Sequence, residues 1–178
     1  MDNARKTIKE LVKQRGFNVV SEDGDEIFAK RKFHQLLIYL CPEDKISINT
    51  IKECLSRLEE LEYNHIILVY NGKLTSCANN VVKTIENTKE SDNLIKKTFE
   101  VFNKDELQLN ITKHHLASKH EVVEKKELDE LKSKLDILKL PVILKIDPMC
   151  KFYNFQIGDI IKITRRNGFI AYRRCISE

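Results

Sequence analysis

The side chains best suited to chemistry in this sequence are bases gathered near its carboxyl end. Residues 141–178 hold seven of them (Lys145, Lys151, Lys162, Arg165, Arg166, Arg173 and Arg174) against three acids, Asp147, Asp159 and Glu178. The whole chain carries +4, so the first 140 residues are balanced and the excess belongs to this segment. A local surplus of this kind recognises phosphate or an acidic protein surface. The pair Asn167-Gly168 signals a tight hairpin turn between two strands. With a two-residue turn, Ile163 opposes Tyr172 on a core-facing side, Ile161 opposes Arg174 and Arg165 opposes Ile170. On the other side Thr164 opposes Ala171 and Lys162 opposes Arg173. Like charges placed directly opposite destabilise a hairpin by about 0.2–1 kcal/mol. A carboxylate or phosphate partner would reverse that sign; a solvated basic face is the plainer alternative.

Other candidate chemistry is sparser. Glu43-x-Lys45, preceded by the acidic stretch "EDGDE" at 22–26, fits the carboxylate-plus-lysine triplet of metal-dependent nucleases. Pro42 ends the strand before it, which puts Glu43 in a loop. His114, His115 and His120 lie close together but have no cysteine near them in sequence, so a structural role is expected rather than zinc. The five cysteines, Cys41, Cys54, Cys77, Cys150 and Cys175, form no CxxC pair. They are expected to be buried or half-buried free thiols. No glycine-rich phosphate loop and no G-x-S-x-G motif is present. No catalytic residue, metal site or cofactor is therefore assigned.

Elements must position these groups. Hydrophobic residues make up 42% and charged residues 33%, which suits a globular chain of one or two domains. No apolar run approaches 18 residues, and the N-terminus shows no secretory pattern, so neither a membrane span nor a membrane partner is expected. Ile8, Leu11 and Val12 have helical spacing, and Gly16 stops a helix over 3–15. "FNVV" reads as a short strand and "SEDGDE" as a turn. Strands follow at Ile27–Lys30 and Phe33–Leu40. Ile48, Ile51, Leu55, Leu58 and Leu61 form one stripe of a helix over 47–62, capped by Ser47 or Asn49. "HIILVY" (65–70) suits a strand buried on both faces. Strand, helix and buried strand make the βαβ pattern of an α/β layer. A third helix is expected in "SCANNVVKTI", a helical turn around Leu94–Phe102 and a strand at "LQLNI" (107–111). Composition changes near 112–120, after which a charged helix, "VEKKELDELKSKL", carries Leu128, Leu131 and Leu135 on one face. Asp147-Pro148 is an N-cap followed by proline at the first helical position, so a short helix should dock Phe152 and Tyr153 inward.

The ordered series from residue 111 onward resembles a known family. "ITKHHLASKH" (111–120), the Lys/Glu-rich helix, Leu140-Pro141, Asp147-Pro148, "KFYNF", "GDIIKI" (158–163) and Tyr172-Arg173 are similar to the shared fifth subunit of eukaryotic-type multisubunit DNA-dependent RNA polymerases, a family with an archaeal counterpart. "KTIKELVKQRGF" (6–17) resembles the opening helix of that family. "HIILVYNGKLTSCA" (65–78) resembles its buried strand followed by a Thr-Pro-Ser-Ala motif. Departures are Ser118 in place of proline, Thr75-Ser76-Cys77-Ala78 keeping only the ends of the motif, and a shortened hairpin turn. A viral or otherwise divergent version fits the reduced length and the Lys/Asn/Ile-rich composition.

The resemblance implies an α+β protein. It would have an N-terminal α/β three-layer-like jaw domain (1–108) and a small C-terminal α+β assembly domain (109–178) with a terminal β-hairpin. It implies a non-catalytic subunit that lies beside downstream duplex DNA and assembles on the largest polymerase subunit among other subunits, with transcription regulators as further partners. The location would be the nucleus of a cell, or the cytoplasmic viral factory or virion of a large DNA virus. Lys73, Thr75 and Ser76 are the expected DNA-binding residues, because a loop after a buried strand offers backbone N–H groups and a lysine to phosphate. Asp147, Pro148, Lys162, Arg165, Arg166, Tyr172 and Arg173 are the expected partner-binding residues. A metal-dependent nuclease-like domain or a free-standing DNA-binding protein is the alternative.

Overall fold

The computed structural model describes residues 2–87 and 98–177. The chain divides into two units, Met1–Leu109 and Asn110–Glu178, and its architecture is α+β.

In the first unit, helix α1 (Asp2–Gln14) leads into strands β1 (Asn18–Asp23), β2 (Glu26–Arg31) and β3 (His34–Cys41). The two-residue strand β4 (Lys45–Ile46) and helix α2 (Ile48–Glu60) precede β5 (His65–Tyr70). Another two-residue strand, β6 (Lys73–Leu74), helix α3 (Ser76–Asn87) and strand β7 (Thr98–Asn103) complete the unit. The sheet order is β1-β2-β3-β5-β7; the first three strands pair antiparallel, and β3, β5 and β7 are parallel. The β3-α2-β5 crossover is the expected βαβ unit.

Burial on both faces explains why β5 is apolar at consecutive positions. Ile66 and Leu68 point to one side with Leu37, Cys41 and Phe99, where Ile51, Cys54 and Leu58 of α2 and Ala78 and Val82 of α3 meet them. Ile67 and Val69 are equally buried on the other side. That side also holds Glu100, which reaches Arg15 just beyond α1. Gly16 ends α1 with φ +80, a left-handed conformation that glycine adopts without a Cβ clash.

Two expectations for the end of this unit fail. Residues 94–97 of the helical turn expected at Leu94–Phe102 lie outside the described residues, but its remainder is strand β7. The strand expected at 107–111 is absent. Asn103 opens a 3₁₀ turn over Lys104–Leu107, its side chain accepting from Asp105 N–H while Glu106 accepts from Asn103 N–H. Asn110 then caps a second such turn at Ile111–Lys113. Local side-chain caps outcompete the alternating pattern of "LQLNI".

The second unit contains β8 (Lys119–Val122), helix α4 (Lys125–Lys134), β9 (Val142–Leu144), helix α5 (Pro148–Tyr153), β10 (Ile160–Thr164) and β11 (Ile170–Ile176). The sheet order is β8-β10-β11-β9, with β9 parallel to β11. One face carries Ile161, Ile163, Ala171, Cys175 and Ile143 into a core with Cys150 and Phe155. Asp147 caps α5, its carboxylate accepting from Met149 N–H at 2.9 Å, and Pro148 stands at the first position, as expected. Phe152 is buried and Tyr153 half-buried. In α4, Leu128 and Leu131 are half-buried while Leu135 is exposed.

The hairpin register differs from expectation by one residue. Lys162 faces Tyr172, Ile163 faces Ala171 and Ile161 faces Arg173. Gly168 N–H bonds to Arg165 C=O and Arg165 N–H to Phe169 C=O, both at 2.9 Å, so the loop holds three residues, not two. Gly168, at φ +79, supplies the left-handed position that a three-residue loop needs. The extra residue moves Tyr172 off the core face and puts it beside Lys162. The expected Lys162/Arg173 repulsion does not exist.

Candidate nucleic-acid and assembly interfaces

In the first unit, β3 and β5 run parallel, and each is followed by a short strand and then a helix. The two short strands pair, which places Lys45 opposite Lys73 and Ile46 opposite Leu74. Both lysines are exposed and Ile46 is buried. The helix N-termini of α2 and α3 therefore start side by side, just beyond the carboxyl ends of parallel strands, where open α/β sheets place ligands. Gly72 makes this pairing possible. Its φ is +94, and a Cβ there would stand 2.1 Å from the Asp44 carbonyl oxygen. Asn71 Nδ2 donates to Asp44 Oδ1 at 2.8 Å and Asn103 Nδ2 to Gly72 C=O at 3.0 Å, tying the loop to its neighbours. An open groove of about 520 Å³ runs along Asp44, Lys45, Gly72, Lys73, Leu74, Thr75 and Ser76.

The three expected DNA-binding residues thus share one groove, and Lys45 joins them. Sequence reasoning missed Lys45 as a partner of Lys73. Its signal was the lysine that follows each apolar strand at a similar distance, at 45 and at 73. The backbone, however, is less available than expected. Lys73 N–H bonds to Asp44 C=O and Thr75 N–H to Ile46 C=O, and the Thr75 hydroxyl accepts from Ala78 N–H, opening α3. The exposed side chains of the groove are Lys45, Lys73, Ser76 and Asp44, whose Oδ1 is held by Asn71. Glu43, the candidate nuclease carboxylate, accepts from the Thr50 hydroxyl at 3.0 Å, near the start of α2.

On the opposite side of that sheet lies a buried charged cluster that sequence reasoning did not find. Arg15 Nη1 and Nη2 donate to the two oxygens of Glu100, each at 2.8 Å, and His65 Nε2 bonds to Glu100 Oε1. Burial by itself raises the Glu100 pKa, but the Arg15 charge and the bonds from His65 and Arg15 outweigh it and hold the carboxyl at about 2.

In the second unit most expected partner residues have internal tasks. Lys162 Nζ donates to Glu127 Oε1 at 2.8 Å and the Tyr172 hydroxyl donates to the same oxygen at 2.7 Å, which ties α4 to the sheet. The hydrogen bond from Lys162, then that from Tyr172, lowers the Glu127 pKa; Glu127 in turn raises those of Lys162 and Tyr172. Arg173 Nη1 donates to the Val142 carbonyl at 3.0 Å, and Asp147 caps α5. Arg165 and Arg166 remain exposed at the hairpin tip, with the Arg165 guanidinium 5.7 Å from the Phe169 ring centre. His114 accepts from Leu116 N–H and His120 pairs with Ser118 C=O, both local turn bonds. Among the described residues no group of three His, Cys, Asp or Glu side chains is placed to hold a metal ion.

Comparison with known proteins defines the class. Residues 109–175 match the family described as RNA polymerase Rpb5, C-terminal domain. The chain is 29% identical to a protein of Invertebrate iridescent virus 6 named as DNA-directed RNA polymerase subunit 454R, over 93% of this chain and 94% of that one. It is 27% identical to the DNA-directed RNA polymerases I, II, and III subunit rpabc1 of Dictyostelium discoideum, covering 97% and 95% of the two chains. The corresponding subunit RPABC1 of Caenorhabditis briggsae is 27% identical, covering 95% and 92%. The class is that of RNA polymerase subunits. Within it the chain is similar to the Rpb5-type subunit, and residues 109–175 match the Rpb5 C-terminal domain.

Proposed function

We propose that this RNA polymerase subunit is a non-catalytic one, whose first unit contacts downstream duplex DNA and whose second unit assembles it on the largest subunit. The observation that carries the DNA reading is the in-register pair Lys45/Lys73 beside the N-termini of α2 and α3. Two exposed lysines opposite each other, with Ser76 at the first position of α3, suit successive phosphates of a backbone. Such contacts hold a duplex without reading its sequence, as a subunit serving many templates requires. The assembly reading rests on the Rpb5 C-terminal match and on the charge of the second unit, which holds fourteen basic side chains against nine acidic. Arg165 and Arg166 present that charge at the hairpin tip, while Asp147, Pro148, Lys162, Tyr172 and Arg173 shape the surface from within. The relatives' origins support the nucleus for a cellular version, and a cytoplasmic viral factory or virion for a viral one.

The test is a polymerase purified with a Lys45→Ala/Lys73→Ala chain. It should keep its full subunit set and lose crosslinks from this chain to downstream duplex. Crosslinks equal to those of the unaltered enzyme would overturn the DNA role. A chain that binds duplex tightly alone, with steep salt dependence, would favour a free-standing DNA-binding protein instead.

A further inference from the structure

The turn between β2 and β3 lies at the end of its sheet remote from the Lys45/Lys73 groove. The groove lies beyond the last residue of β3, and the turn precedes its first. The eight residues of β3 set the two about 25 Å apart. Arg31 pairs with His34, so Lys32 and Phe33 alone close the turn. Lys32 has φ +52, a left-handed conformation that glycine or asparagine normally supplies in such turns and that a residue with a longer side chain resists. The turn lifts one ring clear of the protein: Phe33 is 95% exposed. Its neighbours are basic. Lys30, Lys32 and His34 are exposed as well, and their side chains have no hydrogen-bond or ion-pair partner among the described residues. Arg31 differs. Its guanidinium lies 4.8 Å from the centre of the Phe17 ring and donates to Arg15 C=O at 2.9 Å.

A bare ring framed by unanswered bases suits an anionic partner with a flat apolar surface. Protein interfaces are enriched in arginine and depleted of lysine. At this tip the arginine is engaged within the fold and the lysines are free. Lysine is a point charge suited to phosphate, and an exposed ring suits a nucleobase, since every base has a π-face. Bases inside a duplex are stacked on one another and out of reach, so the fitting ligand has unpaired bases.

We propose that the β2–β3 turn is a site for single-stranded nucleic acid, separate from the duplex groove. Phe33 stacks on an unpaired base, and Lys30 and Lys32 pair with neighbouring phosphates. The contact reads no sequence, because stacking and charge are common to all bases. DNA and RNA single strands share this chemistry. The proposal goes beyond the duplex contact and does not depend on it.

The experiment titrates the full-length chain with fluorescein-labelled oligothymidylate and oligouridylate at low salt and follows anisotropy. Phe33→Ala should weaken binding at least about fivefold, the loss expected when one base loses its stacking partner. Phe33→Tyr should restore it. Lys30→Gln/Lys32→Gln should reduce the slope of log affinity against log salt by about 1.4, whereas Phe33→Ala leaves the slope unchanged. Lys132→Gln, on the exposed side of α4, should change neither. The chain has no tryptophan, so Phe33→Trp introduces a single indole whose fluorescence a stacked base should quench. Binding confined to one sugar type supports the site and identifies the strand as DNA or RNA. Absence of binding by the unaltered chain, or absence of quenching in Phe33→Trp, would overturn the proposal. So would an equal loss of duplex and single-strand affinity in Phe33→Ala. Polyglutamate that binds as tightly as the oligonucleotides, with no effect of Phe33→Ala, would assign the tip to an acidic protein instead. Each of these failures leaves the polymerase-subunit reading intact.

Discussion

Lys162 and Tyr172 face each other across the C-terminal hairpin, and both donate to one oxygen of Glu127. This is how an isolated, strongly charged helix is fixed to its sheet. α4 has no buried residue of its own, so the three-way bond holds it where apolar packing is thin. Glu127→Ala should therefore release α4. Amide hydrogen exchange over 125–134 should speed up, with little change in β10 and β11. Tyr172→Phe should give a smaller acceleration, because Lys162 still holds the oxygen. Equal protection in all three proteins would show that the helix is held by other contacts.

Glu100 predicts an acid-sensitive first unit. Its folded pKa, about 2, lies below the ordinary value of 4.5. A depressed carboxylate adds stability above its unfolded pKa, and that stability is lost as pH falls from about 4.5 toward 2. Glu100→Gln should remove this dependence and lower stability by about 3–5 kcal/mol, because Arg15 is left buried without its counter-charge. Urea unfolding of the unaltered and Gln chains from pH 2 to pH 7 checks both statements. Parallel curves would contradict the assignment.

Gly72→Ala tests whether the Lys45/Lys73 pairing depends on backbone approach. The added Cβ would overlap the Asp44 carbonyl, and its φ is unfavourable for alanine. The loop must move, and the lysines should fall out of register. Loss of downstream-DNA crosslinking by Gly72→Ala, with both lysines still present, is the expected result. Retained crosslinking would mean that the charges act independently of the ribbon.

Thiol chemistry should sort the cysteines. Cys77 is exposed, whereas Cys41, Cys54, Cys150 and Cys175 are buried. Burial, the largest cause, pushes the Cys54 and Cys150 thiols up to about 12, far from the reactive thiolate at neutral pH. Iodoacetamide at pH 7.5 should modify Cys77 first and reach the other four only in denaturant. Early labelling of Cys150, read by peptide mass spectrometry, would mean that the C-terminal core opens readily.

These residues show which parts of the protein were open to sequence reasoning. The continuous apolar run at 65–70, the stripe of α2 and the Asp147-Pro148 start of α5 were legible, since each depends on neighbours within a few positions. Cys77 departs from the expected half-burial and lies on the outer side of α3, where the helix stripe turns to solvent. The strand expected at 107–111 lost to asparagine caps, which act over two or three residues and leave only a faint mark on hydrophobic pattern.

The hairpin marks the boundary most clearly. Asn167-Gly168 located the turn from sequence, but whether two or three residues close it depends on backbone bonds at Arg165 and Phe169. One residue of loop moves every side chain of a strand to the opposite face. It decided that Tyr172 joins Lys162 and that Arg174, opposite Ile160, leaves the core face. The pairing of Lys45 with Lys73, and the meeting of Arg15, His65 and Glu100, join positions far apart in the chain. Sequence by itself determined the helices, the buried strand at 65–70, the basic C-terminal segment and the family resemblance, because helix periodicity, capping and ordered motifs are local. Tertiary structure alone decided which charges are neutralised inside and which are left for a partner. That choice depends on register and strand order, and both are set by contacts between distant segments.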